Sequence, residues 1–220
     1  MAPTFDDLLR RARALPRGGR RAILGIAGSP GAGKSTLAER LVRELNGAGE
    51  PWVAHVPMDG FHLADAELDR LGRRDRKGAP DTFDAAGYAA LLRRLREETY
   101  DDVVYAPGFE RVLEQPVAGA LPVPPAARLV VTEGNYLLLD TGAWARVRPL
   151  LDEVWFCDLD GEERVRRLVA RHEEFGKSRR EAVAWVQRTD ERNAALVAAT
   201  RDRADLVVPG SVLPGADAGA

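Results

Sequence analysis

The chain has 220 residues, 45% of them apolar and 30% charged, with a formal net charge of −2. That length holds one α/β domain with a real core and a small lid, and the composition is that of a globular protein. A charge so near neutral speaks against a general nucleic-acid binder, and the one cysteine, Cys157, leaves no disulfide framework to build.

The first predicted element is an amphipathic helix within residues 1–20. Thr4 and Asp7 suit its start, and "LLRRARALPRGGRR" makes the helix and its following turn basic, a solvated face rather than a phosphate or membrane site. Six apolar runs follow: "AILGIAG", "WVAHVPM", "DVVYAP", "RLVVTEG", "EVWFCDL" and "ADLVVPG". They are apolar on both faces, the pattern of strands in a buried parallel sheet. Helical patterns cover Lys34 to Leu45, Asp84 to Glu98, Ala143 to Leu151, and Glu162 to about Thr200. The alternation predicts a doubly wound α/β fold with a mostly parallel sheet. Two segments resist it. Residues 60–80 are polar and loop-like, and "GFERVLEQPVAGALPVPP" is too proline-rich for helix. Long connections of this kind often carry function. The domain reading is therefore an N-terminal helix and basic turn over 1–20, one nucleotide-binding domain over 21–210 and a frayed tail over 211–220. Cys157, inside "EVWFCDL", reads as a buried structural thiol. No run is long and apolar enough to span a membrane, and no apolar stretch near the N-terminus precedes a cleavage site. A cytoplasmic enzyme without a membrane or nucleic-acid partner is expected.

Gly28, Gly33, Lys34 and Ser35 match G-x-x-x-x-G-K-[ST], with an apolar strand before and a helix after. Glycines let the backbone curl so that its N–H groups meet phosphate oxygens, and the helix N-terminus adds a favourable field. The ATP-binding set is Gly28, Ser29, Pro30, Gly31, Ala32, Gly33, Lys34, Ser35 and Thr36. Lys34 is expected to reach the β- and γ-phosphates and Ser35 to ligate Mg²⁺. The chain has no guanine-specifying N/T-K-x-D stretch and no L-S-G-G-Q signature, and is short for a motor or helicase. A small kinase remains, which needs an acceptor pocket, a base and a lid that excludes water. Asp59, at the end of the second apolar run in "VPMDGFHL", lies where parallel sheets bind ligands. It reads equally as a base for the acceptor hydroxyl or as the first residue of an Asp-Gly turn.

The ordered set "GSPGAGKST", "MDGFH", "RKGAPDTFD", "VVTEGNYLL" and "ADLVVPG" resembles the phosphoribulokinase/uridine kinase/bacterial pantothenate kinase family. The likeness runs from about Arg21 to Val208 and lies nearest the small "nucleoside/nucleotide kinase" or sugar-transport-kinase-like members. It implies a P-loop kinase fold with a helical lid over about 161–180, and Asp59 as catalytic base. "KGAPDTFD" looks like an element of the bacterial pantothenate kinases. "VTEGNYLL" looks like the strand whose Glu lies near the metal, which makes Glu133 a metal and substrate candidate beside Ser35. The chain departs from nucleoside kinases, which carry D-S-F-Y where this one has Asp59-Gly60-Phe61-His62, and from pantothenate kinases in lacking their long insertions.

His62 and Lys77 are placed near the acceptor, and Asp81 and Asp84 could position it, although Asp84 also suits a helix cap. After the third apolar run, Tyr105 and Arg111 join the substrate set, with Phe109 leaning toward packing; Asn135 and Tyr136 follow Glu133. Arg164, Arg167 and Arg171 share a helix face. Relatives close such arginines on ATP, so Arg167 and Arg171 are candidates for stabilising the transferring phosphoryl group; a solvated face paired with nearby glutamates is the plainer reading. Asp190 and Asn193 share a later face. The whole reads as an ATP- and Mg²⁺-dependent kinase acting on a small-molecule hydroxyl, with a homodimer in keeping with the family. The alternative is a nucleotide-gated regulatory ATPase with a protein partner.

Overall fold

The structure, a computed structural model, describes residues 2–97 and 102–213. The strands are β1 Ala22–Gly28, β2 Val53–His55, β3 Val104–Glu110, β4 Gln115–Val123, β5 Leu129–Gly134, β6 Glu153–Asp158 and β7 Leu206–Pro209. Five of them form one parallel sheet in the order β2-β5-β1-β6-β7. The helices are α1 Phe5–Arg13, α2 Lys34–Asn46, α3 Asp65–Arg70, α4 Ala85–Glu97, α5 Gly161–Glu174, α6 Arg179–Trp185 and α7 Glu191–Ala198.

β1 and β5 are buried along their whole length, as inner strands covered on both faces must be. Their side chains alternate between two cores. Leu24 and Ile26 pack with Leu8 of α1 and Leu37 and Leu41 of α2. Ile23 and Ala27 pack on the other face with Tyr88 and Leu92 of α4, Trp144 and Val197 of α7. Helices thus cover both faces, and the fold is doubly wound α/β. After β1 the chain leaves a gap before β2; β5 later fills it, and β6 pairs on the opposite side of β1. Ligand crevices open beyond the C-terminal strand ends at such a reversal.

Local chemistry sets the ends of the helices. Thr4 and Asp7 form a reciprocal capping box at α1, and Ser178 and Glu181 do the same at α6. Asp84 Oδ1 accepts the Gly87 N–H at 2.8 Å, so this aspartate caps α4. Among the described residues no helix is long and apolar enough to cross a membrane.

Three expectations change. "DVVYAP" is not part of the parallel sheet: β3 pairs antiparallel with β4 as a separate ribbon. Its burial alternates, with Val104 and Ala106 inside and Tyr105 outside, as one-sided strands do. The proline-rich stretch is not helical, as expected: it carries the end of β3, the turn and β4, and a two-stranded ribbon is all edge and tolerates prolines without a donor. In place of a helix from Ala143 to Leu151 there are two 3₁₀ turns, Gly142–Arg146 and Arg148–Leu150, parted at Val147, with Pro149 in the first positions of the second. The predicted long helix from Glu162 is three: Gly176, with φ of 93°, turns the chain after α5, and a π turn over Val186–Asp190 joins α6 to α7. Of the tail, residues 214–220 lie outside the described residues, while Leu213 is buried in the α2-side core.

Candidate active site

β1 ends at Gly28, and the loop turns through Gly31 and Gly33, at φ of 80° and 85°, before α2 begins at Lys34. Gly31 has no room for a side chain: a Cβ would lie 2.7 Å from Leu168 Cγ and 2.9 Å from the Arg164 carbonyl oxygen. The loop is therefore pressed against α5. Pro30, Gly31, Lys34 and Ser35 line a cavity of about 710 Å³ beyond the sheet. Ser29 Oγ donates to the Ala194 carbonyl at 3.3 Å, Ala32 is buried, Gly28 packs on Cys157, and Thr36 is exposed in the first turn of α2.

Lys34 is only 7% exposed. Its ammonium donates to the Ser29 carbonyl at 3.1 Å and has no other hydrogen-bond acceptor among the described residues. Burial pulls its pKa down, opposed by the charges of Glu133, Cys157 and Asp59. A buried ammonium with spare donors is a place for an anion. Burial pushes the Cys157 thiol up to about 12, so it stays protonated and structural.

The β1–β5 register sets Glu133 opposite Ile26, so its carboxylate emerges beside the loop. Ser35 Oγ donates to Glu133 Oε1 at 2.9 Å. Glu133 is 4% exposed, and burial, then the charge of Asp59, pushes its pKa up to about 7 against the pull of Lys34. Asp59 enters the cavity from a 3₁₀ turn over Met58–Phe61 that follows β2. Gly60 in that turn has its own steric reason: a Cβ would lie 2.2 Å from the Pro107 carbonyl oxygen of β3. That contact explains why serine does not follow the aspartate here.

These residues suit a triphosphate and a divalent cation. The loop supplies a curled backbone and a spare ammonium, and Ser35 with Glu133 supplies two adjacent oxygen donors of the kind Mg²⁺ takes.

The opposite wall is built from distant segments. His62 Nδ1 lies 2.8 Å from the Asp59 carbonyl, which can only accept, so Nδ1 carries the proton and Nε2 is left as an acceptor. Burial holds the ring neutral, and it packs at a tilt against Phe83 and Phe109, 3.9 and 4.8 Å between centroids. Lys77 lines the cavity, but its ammonium is engaged: it pairs with Asp65 at 2.7 Å and donates to the Glu114 carbonyl. It thereby ties the loop before α4 to the β3–β4 turn, where Glu114 has φ of 50°. The Gly78 carbonyl accepts from Asn193 at 3.3 Å and from Tyr136, fixing the same loop from behind. Arg111, on the β3–β4 turn, and Asn135, after β5, also line the cavity.

From α5, Arg171 faces the cavity. Arg167 does not: its Nε donates to Glu163 at 2.7 Å, and its Nη1 approaches Gly33 from outside the cavity lining. Arg164 is buried, donating to the Pro30 carbonyl at 3.3 Å and pairing with Glu191. Tyr105 is 61% exposed on the outer face of β3 and lies outside the cavity. Asp81 is also outside it, paired with Arg76 at 2.8 Å. Sequence reasoning did not single out Phe83, His172, Phe175 or Trp185, which line the cavity. His172 Nε2 sits 2.9 Å from Asp190 Oδ2 and so joins α5 to the π turn. That π turn, a feature common at functional sites, has no simple sequence signal.

The sequence profile of the Phosphoribulokinase / Uridine kinase family matches residues 23–214. A Schizosaccharomyces pombe protein assigned as a uridine kinase is 34% identical over 96% of this chain and 90% of its own. A pantothenate kinase of Leifsonia xyli is 30% identical over 93% of this chain and 69% of its own. The solved structure of a Silicibacter sp. TM1040 protein assigned as a fructose transport system kinase superposes with a TM-score of 0.82 at 36% identity, covering 94% of this chain and 99% of that one. With its phosphate loop, strand order and site residues in view, this chain belongs to the phosphoribulokinase/uridine kinase family, enzymes that are kinases of small molecules.

Proposed function

We propose that the protein transfers the γ-phosphoryl group of ATP, with Mg²⁺, to a hydroxyl of a small molecule, with Asp59 as the base. The observation that carries this reading is one cavity that joins Lys34 and Ser35 to Asp59 and Glu133, with Arg171 from the lid. Lys34 and the loop N–H groups hold the phosphates. Ser35 and Glu133 would hold Mg²⁺, which would offset phosphate charge. Asp59 accepts the hydroxyl proton as the acceptor oxygen bonds to the γ-phosphorus and the bond from that phosphorus to the β–γ bridging oxygen breaks, leaving ADP and a phosphate ester. Arg171 stabilises charge on the moving phosphoryl group. The aromatic wall of His62, Phe83 and Phe109 shields the acceptor side from water.

The test is ADP release with ATP and Mg²⁺ across nucleosides, sugars and pantothenate, with Asp59→Asn alongside. One acceptor is expected to raise turnover strongly, and the substitution to remove about 10²–10⁴ of that rate while ATP still binds. Acceptor-dependent turnover that survives in Asp59→Asn overturns the assignment of the base. ADP release indifferent to every acceptor favours a regulatory ATPase.

A further inference from the structure

We infer that the phosphate acceptor is itself an anion, an alcohol bearing a carboxylate or a phosphate monoester, and that Arg111 recognises its charge. The inference rests on the kinase reading of the same cavity and narrows its substrate.

Most of the charged side chains lining the cavity are already committed. Lys77 pairs with Asp65 and the Glu114 carbonyl, Arg74 pairs with Asp65 at 2.8 Å, and Asp190 holds His172. Lys177 rests 5.3 Å over the Trp185 ring. The guanidinium groups of Arg111 and Arg171 are different. Each lines the cavity, and neither has a hydrogen-bond or ion-pair partner among the described residues. They also oppose each other: Arg111 is the foremost charge disfavouring the cationic form of Arg171. The charges of Asp59, Glu133 and Asp190 favour the cationic form of Arg171 without a hydrogen bond or ion pair to it, and an anion between the two guanidinium groups would relieve what repulsion is left.

The terminal phosphate accounts for one of the two. On the kinase reading it lies with Lys34 at the loop, within the cavity that Arg171 enters from α5, the helix whose Arg164 and Leu168 press on that loop. Arg111 comes from the other side, on the β3–β4 turn, two residues after Phe109, whose ring packs at a tilt against His62. It therefore belongs to the acceptor side. The C-terminal side of its turn is tied down: Lys77 donates to the Glu114 carbonyl and the Asp65 N–H to Gln115 Oε1 at 3.1 Å. Arg111, Asp75 and Glu114 all line the cavity and all are exposed, and the charge of Arg111 reaches inward to bear on His62 and Glu133. A guanidinium fork matches carboxylate and phosphate oxygens in pairs. The adjacent His62 Nε2 and Asn135 suit hydroxyls of the same molecule.

The experiment uses the full chain and matched acceptors that differ only in charge: glycerol, glycerate and glycerol 3-phosphate; glucose, gluconate and glucose 6-phosphate; panthenol and pantothenate. In at least one set the charged member is expected to exceed its neutral parent at least 100-fold in kcat/KM, and its identity separates carboxylate from phosphate recognition. Arg111→Gln is expected to raise the acceptor KM at least 30-fold while the ATP KM moves less than 2-fold, with partial rescue by Arg111→Lys. A neutral acceptor used as well as its charged partner overturns the inference. So does an ATP KM that rises in Arg111→Gln as much as the acceptor KM. A second arm needs no turnover. With AMP-PNP and Mg²⁺ filling the triphosphate site, titration with inorganic phosphate or acetate is expected to show saturable binding by the native chain that weakens at least 10-fold in Arg111→Gln. Absence of binding by either probe overturns the inference and leaves the kinase reading standing, whereas failure of AMP-PNP itself to bind overturns both.

Discussion

The two sides of the cavity are built in opposite ways. The phosphate side comes from nine consecutive residues, 28–36, with Glu133 one hydrogen bond away across the sheet. The acceptor side is assembled from the turn after β2, the loop before α4, the β3–β4 ribbon and α7, held by a few polar ties at Lys77 and Gly78. A local device is rigid because the chain cannot take it apart without unfolding a strand and a helix. An assembled wall can be retuned one tie at a time, which is how one fold serves many acceptors.

The largest expected effect breaks the local side. Lys34→Met leaves no spare cation in the loop and is expected to lower kcat/KM about 1,000-fold in steady-state assays, for every acceptor alike. Gly60→Ala strikes the joint between the sides, because its Cβ would meet the Pro107 carbonyl at 2.2 Å. Chemical denaturation is expected to show a loss of about 2–3 kcal/mol from the overpacking. A gentler effect comes from pH. Burial and Asp59 raise Glu133 to about 7 in the folded chain, above the value of about 4.3 for a free glutamate. Between those values the folded state holds a proton that the unfolded state has released, so stability falls as pH rises from about 4.5 to 7. The nucleotide-free chain is expected to lose about 1–3 kcal/mol across that window, and Glu133→Gln to flatten the slope. Lys77→Met tests the assembled side: acceptor KM is expected to rise about 10-fold, equivalent to about 1.4 kcal/mol, while ATP affinity holds. Smallest is Tyr88→Phe. Thr132 gives its single hydroxyl proton to the Val56 carbonyl at 2.6 Å, so Tyr88 must donate to Thr132. Losing that buried bond is expected to cost about 1 kcal/mol in a melting curve, without change in kinetics.

The same contrast explains what could be read from the chain. The phosphate loop is legible because its glycines, lysine and serine are adjacent and its flanks announce strand and helix. Asp59 and Glu133 are legible because strand ends face the crevice of a parallel sheet. The parallel order itself follows from strands apolar on both faces. The ribbon was harder. "DVVYAP" looks apolar throughout, but Tyr105 is amphipathic and points out, so an alternating strand passes for a buried one. Prolines that argue against helix are equally at home on an edge strand, and only the partner strand decides. Phe83, His172 and Trp185 carry no signal because their places depend on how α4, α5 and α6 pack, not on neighbours in the chain. Arg167 and Arg171 share a face by periodicity, but Glu163, four residues before Arg167, takes it away from the cavity.

Arg164 has a mechanical consequence. Its guanidinium is buried between the Pro30 carbonyl and Glu191, so the first turns of α5 are clamped to the phosphate loop and to α7 together. The helix is anchored at its root. Arg171 lies about two turns further along the same helix. A hinge at Gly176, beyond it, would move α6 and leave Arg171 where it is. Its reach into the cavity is therefore set by a rod bolted to the phosphate loop, with no relay through the rest of the molecule.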